Sequence, residues 1–278
     1  MPGKLKQIYR ELTAKDPRRM NVDHPQRFAL RAADSKQRRL KAIYRISDGS
    51  YKKERFAFAT IEACLRNFVG VFNMPVADLK IIADNVGDET FAMVNRLHSN
   101  VVRTNFGNGA DSWRHAAFDI ALNEFNDEDA VYFVEDDYLH VPGAKQSLVE
   151  GISIADYVSL YDNSDKYINA ADGGPNHFIE YGGEMTRVVR TPSTHWKLTN
   201  STTMTFAVTV GTLREDREVW GKFTKGGHPR DFEAFLTLGE SGRSVITPIP
   251  SVSTHCEYEW AAPGIDWKAI ADIYSNRT

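Results

Sequence analysis

Between Lys41 and Tyr161, short apolar runs alternate with amphipathic stretches, and this alternation constrains the fold of the 278-residue chain more than any other feature. Ala42–Ile46 (AIYRI) reads as a strand that runs into the loop Ser47-Asp48-Gly49-Ser50. From Phe56 to Phe72, the residues Phe58, Ile61, Leu65, Phe68, Val69 and Phe72 recur at helical spacing. Leu79–Ala83 reads as a second strand ending in Asp84-Asn85, and Asp88 to Leu97 as a helix with Asp88 as its N-cap. Asn100–Phe106 is the third strand, and Asp111 to Phe125 a strongly periodic helix. Ala130–Val134 (AVYFV) is apolar on both faces, as a central parallel strand must be. A helix near Ala144–Ala155 and a fifth strand at Tyr157–Tyr161 complete the series. Repeated strand–helix units predict an α/β fold, a mostly parallel central sheet flanked by helices. Such sheets bind ligands beyond the carboxyl ends of their strands. Three of those ends carry acids: Asp48, Asp84 and the cluster Glu135, Asp136, Asp137.

After Asp162 the texture changes. Gly173-Gly174-Pro175, Gly182-Gly183 and Pro192 punctuate β-like pieces at Met185–Arg190, Thr203–Thr209 and Val245–Ile249, which predicts an α+β half. No linker separates the halves, so one continuous domain is expected over 41–278, preceded by a polar, helical extension over 1–40. Lys and Arg number 34 against 37 Asp and Glu, and the net charge of −3 gives no strong nucleic-acid signal, although Lys52, Lys53 and Arg55 form a local basic cluster. Two cysteines, Cys64 and Cys256, exclude a disulfide framework and suit a reducing compartment. No run approaches the ~20 apolar residues of a membrane span. Met1 to Met20 is charged and has no apolar signal core, so a cytoplasmic location (bacterial, viral or host) is expected. The chain lacks GxxxxGK[ST], a GxGxxG after the first strand, paired CxxC, HExxH and GxSxG, which disfavours an ATPase, a dehydrogenase, a zinc site of those types and an α/β-hydrolase.

Three adjacent acids at the exit of a buried strand repel one another and resist burial unless they are solvated or met by a cation. Hard divalent ions take carboxylate oxygens together with substrate phosphates. The passage AVYFVEDDYLHVPGA resembles the strand and acidic motif of GT-A glycosyltransferases, and is nearest in wording to the N-acetylglucosaminyltransferase I group. The resemblance implies a GT-A (Rossmann-like) sheet, with 41–161 the nucleotide-binding half and 162–278 the acceptor-binding half. It implies a nucleotide-sugar donor and Mn²⁺ or Mg²⁺. By position Asp137 would be the metal ligand, and Glu135 and Asp136 would face ribose and diphosphate. Arg45, Ser47, Asp48 and Asp84 would hold the base and ribose, with Arg114 also reaching the donor. Each has a plainer alternative: Asp48 closing a turn, Arg114 packing its stem on the sheet.

Glycosyl transfer requires a base for the acceptor hydroxyl and positive charge for the departing diphosphate. In GHPRDFEAFLTLGE the base candidate is Asp231, with Glu233 second, and helix capping is the alternative for Asp231. His255 in STHCEYEW stands where many GT-A enzymes complete the metal sphere, or else is structural. His195 and Trp196 in TPSTHWKLTN suit an acceptor or donor-sugar site, and Asp162 the donor sugar. Arg187 and Arg190 are diphosphate contacts or solvated strand residues. The leading expectation is an inverting hexosyl- or N-acetylhexosaminyltransferase that acts on a glycan or other biopolymer. The rivals are a sugar nucleotidyltransferase, for which SDGSYKKER after the first strand has too few glycines, and a non-catalytic carbohydrate-binding protein.

Overall fold

The computed structural model describes residues 30, 38–49 and 54–275. The expected extension over 1–40 and the lysines Lys52 and Lys53 lie almost wholly outside the described residues. Strand β1 (Leu40–Ile46) is buried from Lys41 onward and pairs in parallel with β2 (Leu79–Asp84) on one side and β4 (Ala130–Glu135) on the other. β3 (Val101–Thr104) extends this parallel block beyond β2. The rest of the nine-stranded sheet comprises β6 (Tyr157–Val158), β7 (Val188–Arg190), β8 (His195–Leu198), β9 (Phe206–Thr209) and β10 (Val245–Ile249), in the order β3-β2-β1-β4-β9-β6-β10-β8-β7. Only β9 and β8 run against the other strands, so the fold is a mixed α/β arrangement around a mostly parallel sheet. Strands from 162–278 thus interleave with those from 41–161. A separate ribbon pairs β5 (Tyr138–His140) with β11 (Ser253–His255).

Both faces of the sheet are covered, as the doubly apolar β4 requires. Tyr44, Tyr132 and Val134 face helix α1 (Ile61–Phe72), whose Phe68 and Phe72 complete that core. Ile43, Val131 and Phe133 face the opposite core, built by Trp113, Phe206, Trp220 and Phe235. Helix α1 begins at Ile61, not Phe56, because Thr60 Oγ1 accepts the Ala63 N–H and fixes the N-terminus there. Helix α2 (Asp88–Leu97) also departs from expectation: Gly87 holds the N-cap position, and Asp88 is the first helical residue. The helix expected over Asp111–Phe125 (α3) starts at Gly109, winds through a π-helical stretch at His115–Ala121 and closes at Leu122–Glu124. The fifth strand shortens to Tyr157–Val158. The strand expected from Thr203 begins only at Phe206, since Thr203 and Met204 hold positive φ of 53° and 56° and interrupt extended backbone. No helix among the described residues is long and apolar enough to cross a membrane.

The β5 ribbon contains a buried titratable group that reports on fold integrity. His140 is fully buried, its Nε2 2.9 Å from the Tyr132 hydroxyl and its backbone N–H donating to Asn67 Oδ1 at 2.8 Å. Burial depresses its pKa to about 3. The unfolded chain protonates this imidazole below ~6.5, while the folded one keeps it neutral. His140 therefore contributes stability that is complete above ~6.5 and is lost as pH falls toward 3, by up to ~1.4 kcal/mol per pH unit. Urea unfolding followed across pH 7 to 4 should show this decline, and His140→Gln should flatten it.

Candidate functional site

The carboxyl ends of β1 and β4 lie side by side, with Arg45 in register with Glu135. Arg45 Nη2 contacts Glu135 Oε1 at 2.6 Å and Arg45 Nη1 donates to the Gly109 carbonyl at 3.0 Å, tying the first strand end to the start of α3. The Ser47 N–H donates to Asp136 Oδ2 at 2.8 Å. The β5–β11 pairing places His255 opposite Tyr138, whose ring stacks on the imidazole with centroids 5.1 Å apart. His255 Nε2 lies 2.9 Å from Asp137 Oδ2 and 3.6 Å from Glu257 Oε1. Asp137, His255 and Glu257 are all buried, and one ligand atom from each lies within 4.8 Å of the others. This group has the geometry to hold a divalent cation.

Arg55 joins it from the loop after β1. Its guanidinium contacts Asp136 Oδ1 at 3.2 Å and Asp137 Oδ2 at 2.9 Å. Its backbone bridges to that of Glu257. Burial and the neighbouring charge of Asp137 push the Asp136 carboxyl up to about 7. Burial works the same way on Asp137, but His255 and Arg55 outweigh it and hold that carboxyl below the usual carboxylate range. Burial raises Glu135 despite its pairing with Arg45. Burial opposes the imidazolium form of His255, yet the charges of Asp137, Glu257 and Glu135 prevail and raise its pKa. One oxygen, Asp137 Oδ1, is buried without a hydrogen-bond partner. A buried orphan acceptor beside an imidazole and a second carboxylate matches what an oxygen-seeking cation would satisfy.

Asp231 is the first residue of the helix Asp231–Glu240, and its Oδ2 accepts the N–H groups of Thr202 and Thr203 at 3.0 and 2.8 Å. Its carboxylate makes no cap to its own helix among the described residues, and its negative charge adds to the upward push on Glu135. Glu233 points elsewhere: it is partly exposed and lies 3.9 Å from Arg230.

Other expected site residues are committed to structural contacts. Asp48 Oδ2 accepts the Gly87 N–H and its Oδ1 the Thr90 hydroxyl, so Asp48 caps α2 from outside. Asp84 accepts from the Thr104 hydroxyl and from the N–H groups of Phe106 and Gly107, shaping the loop before α3. Arg114 donates to the Gly221 carbonyl and lies over the Phe118 ring, turned away from the acids. Trp196 is fully buried; its indole N–H donates to Thr191 Oγ1, and its ring fills the space that Gly151 leaves free of a Cβ. It is therefore core, and the expected sugar platform is not there. His195, one residue earlier, is exposed and lines a separate cavity of about 320 Å³ with Ser147, Ser193 and Thr194. Arg187 and Arg190 are exposed on and beside β7.

Asp162 is buried against Lys197, whose Nζ lies 2.9 Å from Asp162 Oδ1 and 3.0 Å from Glu184 Oε2. The two carboxylates push Lys197 well above its ordinary range against the opposing effect of burial. Glu257, Arg55, Lys197 and Glu184 were not identified from the chain alone. The two-residue spacing of His255 and Glu257 is the signal that could have found the first of them, because alternate residues of extended backbone face one way.

No family model matches the chain, and no curated protein matches it. Among solved structures it resembles the apo-form glycosyltransferase GlyE of Streptococcus pneumoniae TIGR4 at 12% identity, over 75% of this chain and 44% of that one, with a TM-score of 0.35. It also resembles a nucleotidyl transferase from Methanothermobacter thermautotroptrophicus (10% identity, 84% and 97% coverage, TM-score 0.39). A third is the 4-diphosphocytidyl-2C-methyl-D-erythritolsynthase of Anaerococcus prevotii DSM 20548 (12%, 86% and 97%, 0.43). The chain spans less than half of the GlyE structure. At these identities and scores the likenesses carry nothing about chemistry, and none points to the N-acetylglucosaminyltransferase I group.

Replacing Lys197 with Met leaves Asp162 and Glu184 buried without their shared cation. This should destabilise the fold by about 3–5 kcal/mol, the usual cost of removing one partner from a buried ion pair, measured as a lowered urea midpoint.

Proposed function

We propose that this chain is a divalent-metal-dependent glycosyltransferase of GT-A type that moves a hexosyl or N-acetylhexosaminyl group from a nucleoside diphosphate to an acceptor hydroxyl on a glycan or other biopolymer, with inversion. The observation that carries this reading is the group at the end of β4: Asp137, His255 and Glu257 within 4.8 Å, with Asp137 Oδ1 buried and unpartnered. Two carboxylates with an imidazole suit Mn²⁺ better than Mg²⁺. When bound, such an ion neutralises the charge that develops on the departing diphosphate.

The chain's own residues supply the rest. Arg45 fixes Glu135 and the Ser47 N–H fixes Asp136, so both acids line the donor side in set orientations. Asp231 is the general base. Two backbone N–H groups anchor its Oδ2, which leaves Oδ1 to take the acceptor proton. A base without a second, nucleophilic carboxylate assigned beside the sugar favours inversion. Sugar nucleotidyl transfer would use the same acids, but the stretch SDGSYKKER holds a single glycine where a phosphate-cradling loop would be expected.

Thermal-shift measurements with UDP, GDP and CDP and their sugars, with and without Mn²⁺, test the donor site. One nucleotide should raise the melting temperature only with Mn²⁺, as mass action requires, and Asp137→Ala should abolish the shift. No shift with any nucleotide would favour a carbohydrate-binding protein, and pyrophosphate release from a nucleoside triphosphate and a sugar phosphate would favour nucleotidyl transfer. Asp231→Asn keeps the oxygen that accepts the Thr202 and Thr203 N–H groups. It should lower kcat about 10²- to 10⁴-fold while nucleotide affinity is unchanged in the same thermal-shift assay.

A further inference from the structure

Arg55 belongs to the basic stretch after β1 that no role has yet absorbed. Its guanidinium reaches Asp137 through Oδ2, the same oxygen that lies 2.9 Å from His255 Nε2. A second N–H group holds Asp136 Oδ1 at 3.2 Å, so one side chain spans Asp137 of the metal-capable group and its neighbour Asp136. Its side chain is 22% exposed, against 6% and 8% for the two acids, so it covers them from the solvent side.

The backbone around Arg55 is bound to the same ligand strand. Arg55 bridges to Glu257, Phe56 N–H donates to the Cys256 carbonyl at 3.1 Å, and Tyr258 N–H donates to the Glu54 carbonyl at 3.1 Å. The Cα position of Arg55 is thereby fixed to the metal group, while its long side chain can change rotamer. A guanidinium cannot shed its proton in a protein. A divalent ion taken up at Asp137 Oδ1 would share that carboxylate with the guanidinium on Oδ2, and movement of the side chain relieves the repulsion between the two cations.

On the reading of the site given above, we infer that Arg55 is a built-in counter-cation for Asp136 and Asp137 that exchanges place with the divalent ion, so that metal loading releases the guanidinium to hold the donor's diphosphate. The geometry favours that second position, because Arg55 stands on the same face as the acids and carries a fork that matches phosphate oxygens. Metal and donor binding are then coupled through one side chain: the ion and Arg55 compete at Asp137, and the diphosphate draws Arg55 away.

Calorimetric titration of Mn²⁺ into the full chain tests this with wild type, Arg55→Gln and Arg55→Lys, each checked for a wild-type circular dichroism spectrum. Arg55→Gln should bind Mn²⁺ about tenfold more tightly than wild type, and Arg55→Lys, which cannot span both carboxylates, by an intermediate amount. In saturating Mn²⁺, Arg55→Gln should bind the nucleoside diphosphate recognised by the wild type about tenfold more weakly. A folded Arg55→Gln whose Mn²⁺ affinity is equal to or below that of wild type overturns the exchange. If that variant does not fold, an unchanged Mn²⁺ affinity in Arg55→Lys overturns it instead. Wild type that binds no Mn²⁺ refutes the metal site itself, and the exchange with it, which separates failure of the underlying reading from failure of this one.

Discussion

The structure around the candidate site depends on how three consecutive carboxylates are accommodated at the end of an apolar strand. β4 is buried on both faces through Val134, and the two residues that follow the strand stay buried as well. Asp136 and Asp137 are 4% and 6% exposed, and burying such charges without partners would cost far more than the domain's net stability. Arg45, Ser47 N–H, Arg55 and His255 supply the compensation, one from the parallel neighbour, two from the loop after it and one from the β11 ribbon. The position of β11, remote in sequence, follows from this demand, because His255 must reach Asp137 across a separation of 118 residues.

What the chain disclosed follows from which of these partners act locally. The apolar run Ala130–Val134 and the acids after it are contiguous, and their placement at a strand end could be read from period and order alone. His255 was also legible, because an imidazole late in the chain had an expected place. Arg55 was not, since its role exists only once β5 pairs with β11 and its backbone bridges to that of Glu257, while Glu257 left only its two-residue spacing from His255 as a signal. The misplaced acids fail for a related reason. Asp48 and Asp84 do sit at strand ends, but at each end the nearest demand was a set of backbone N–H groups, and the carboxylates met it.

Trp196 shows the limit of reading side-chain type without facing. Within β8, His195 is exposed while Trp196, Lys197 and Leu198 are all buried, and the indole packs against Gly151 on the helix Ala144–Ile154. A Cβ there would lie 2.9 Å from the indole, so the glycine and the tryptophan specify one another. Nothing in the local stretch TPSTHW encodes that partner.

The turn before β9 joins the acid group to Asp231. Thr203 and Met204 occupy left-handed backbone, which costs of order 1–3 kcal/mol at a β-branched residue and persists only where its surroundings impose it. Three side chains impose it here, through four hydrogen bonds. Asp231 takes the N–H groups of Thr202 and Thr203, Asn163 donates to the Thr203 hydroxyl, and the Tyr138 hydroxyl donates to the Thr203 carbonyl at 3.5 Å. Tyr138 directly follows Asp137 and stacks on His255. The strained turn therefore ties Asp231 to the acid group through Tyr138, instead of leaving its position to the far longer path through its own helix and the sheet. Relaxing the turn would release both of the N–H groups that orient Asp231, so the strain and the placement of that carboxylate are kept together.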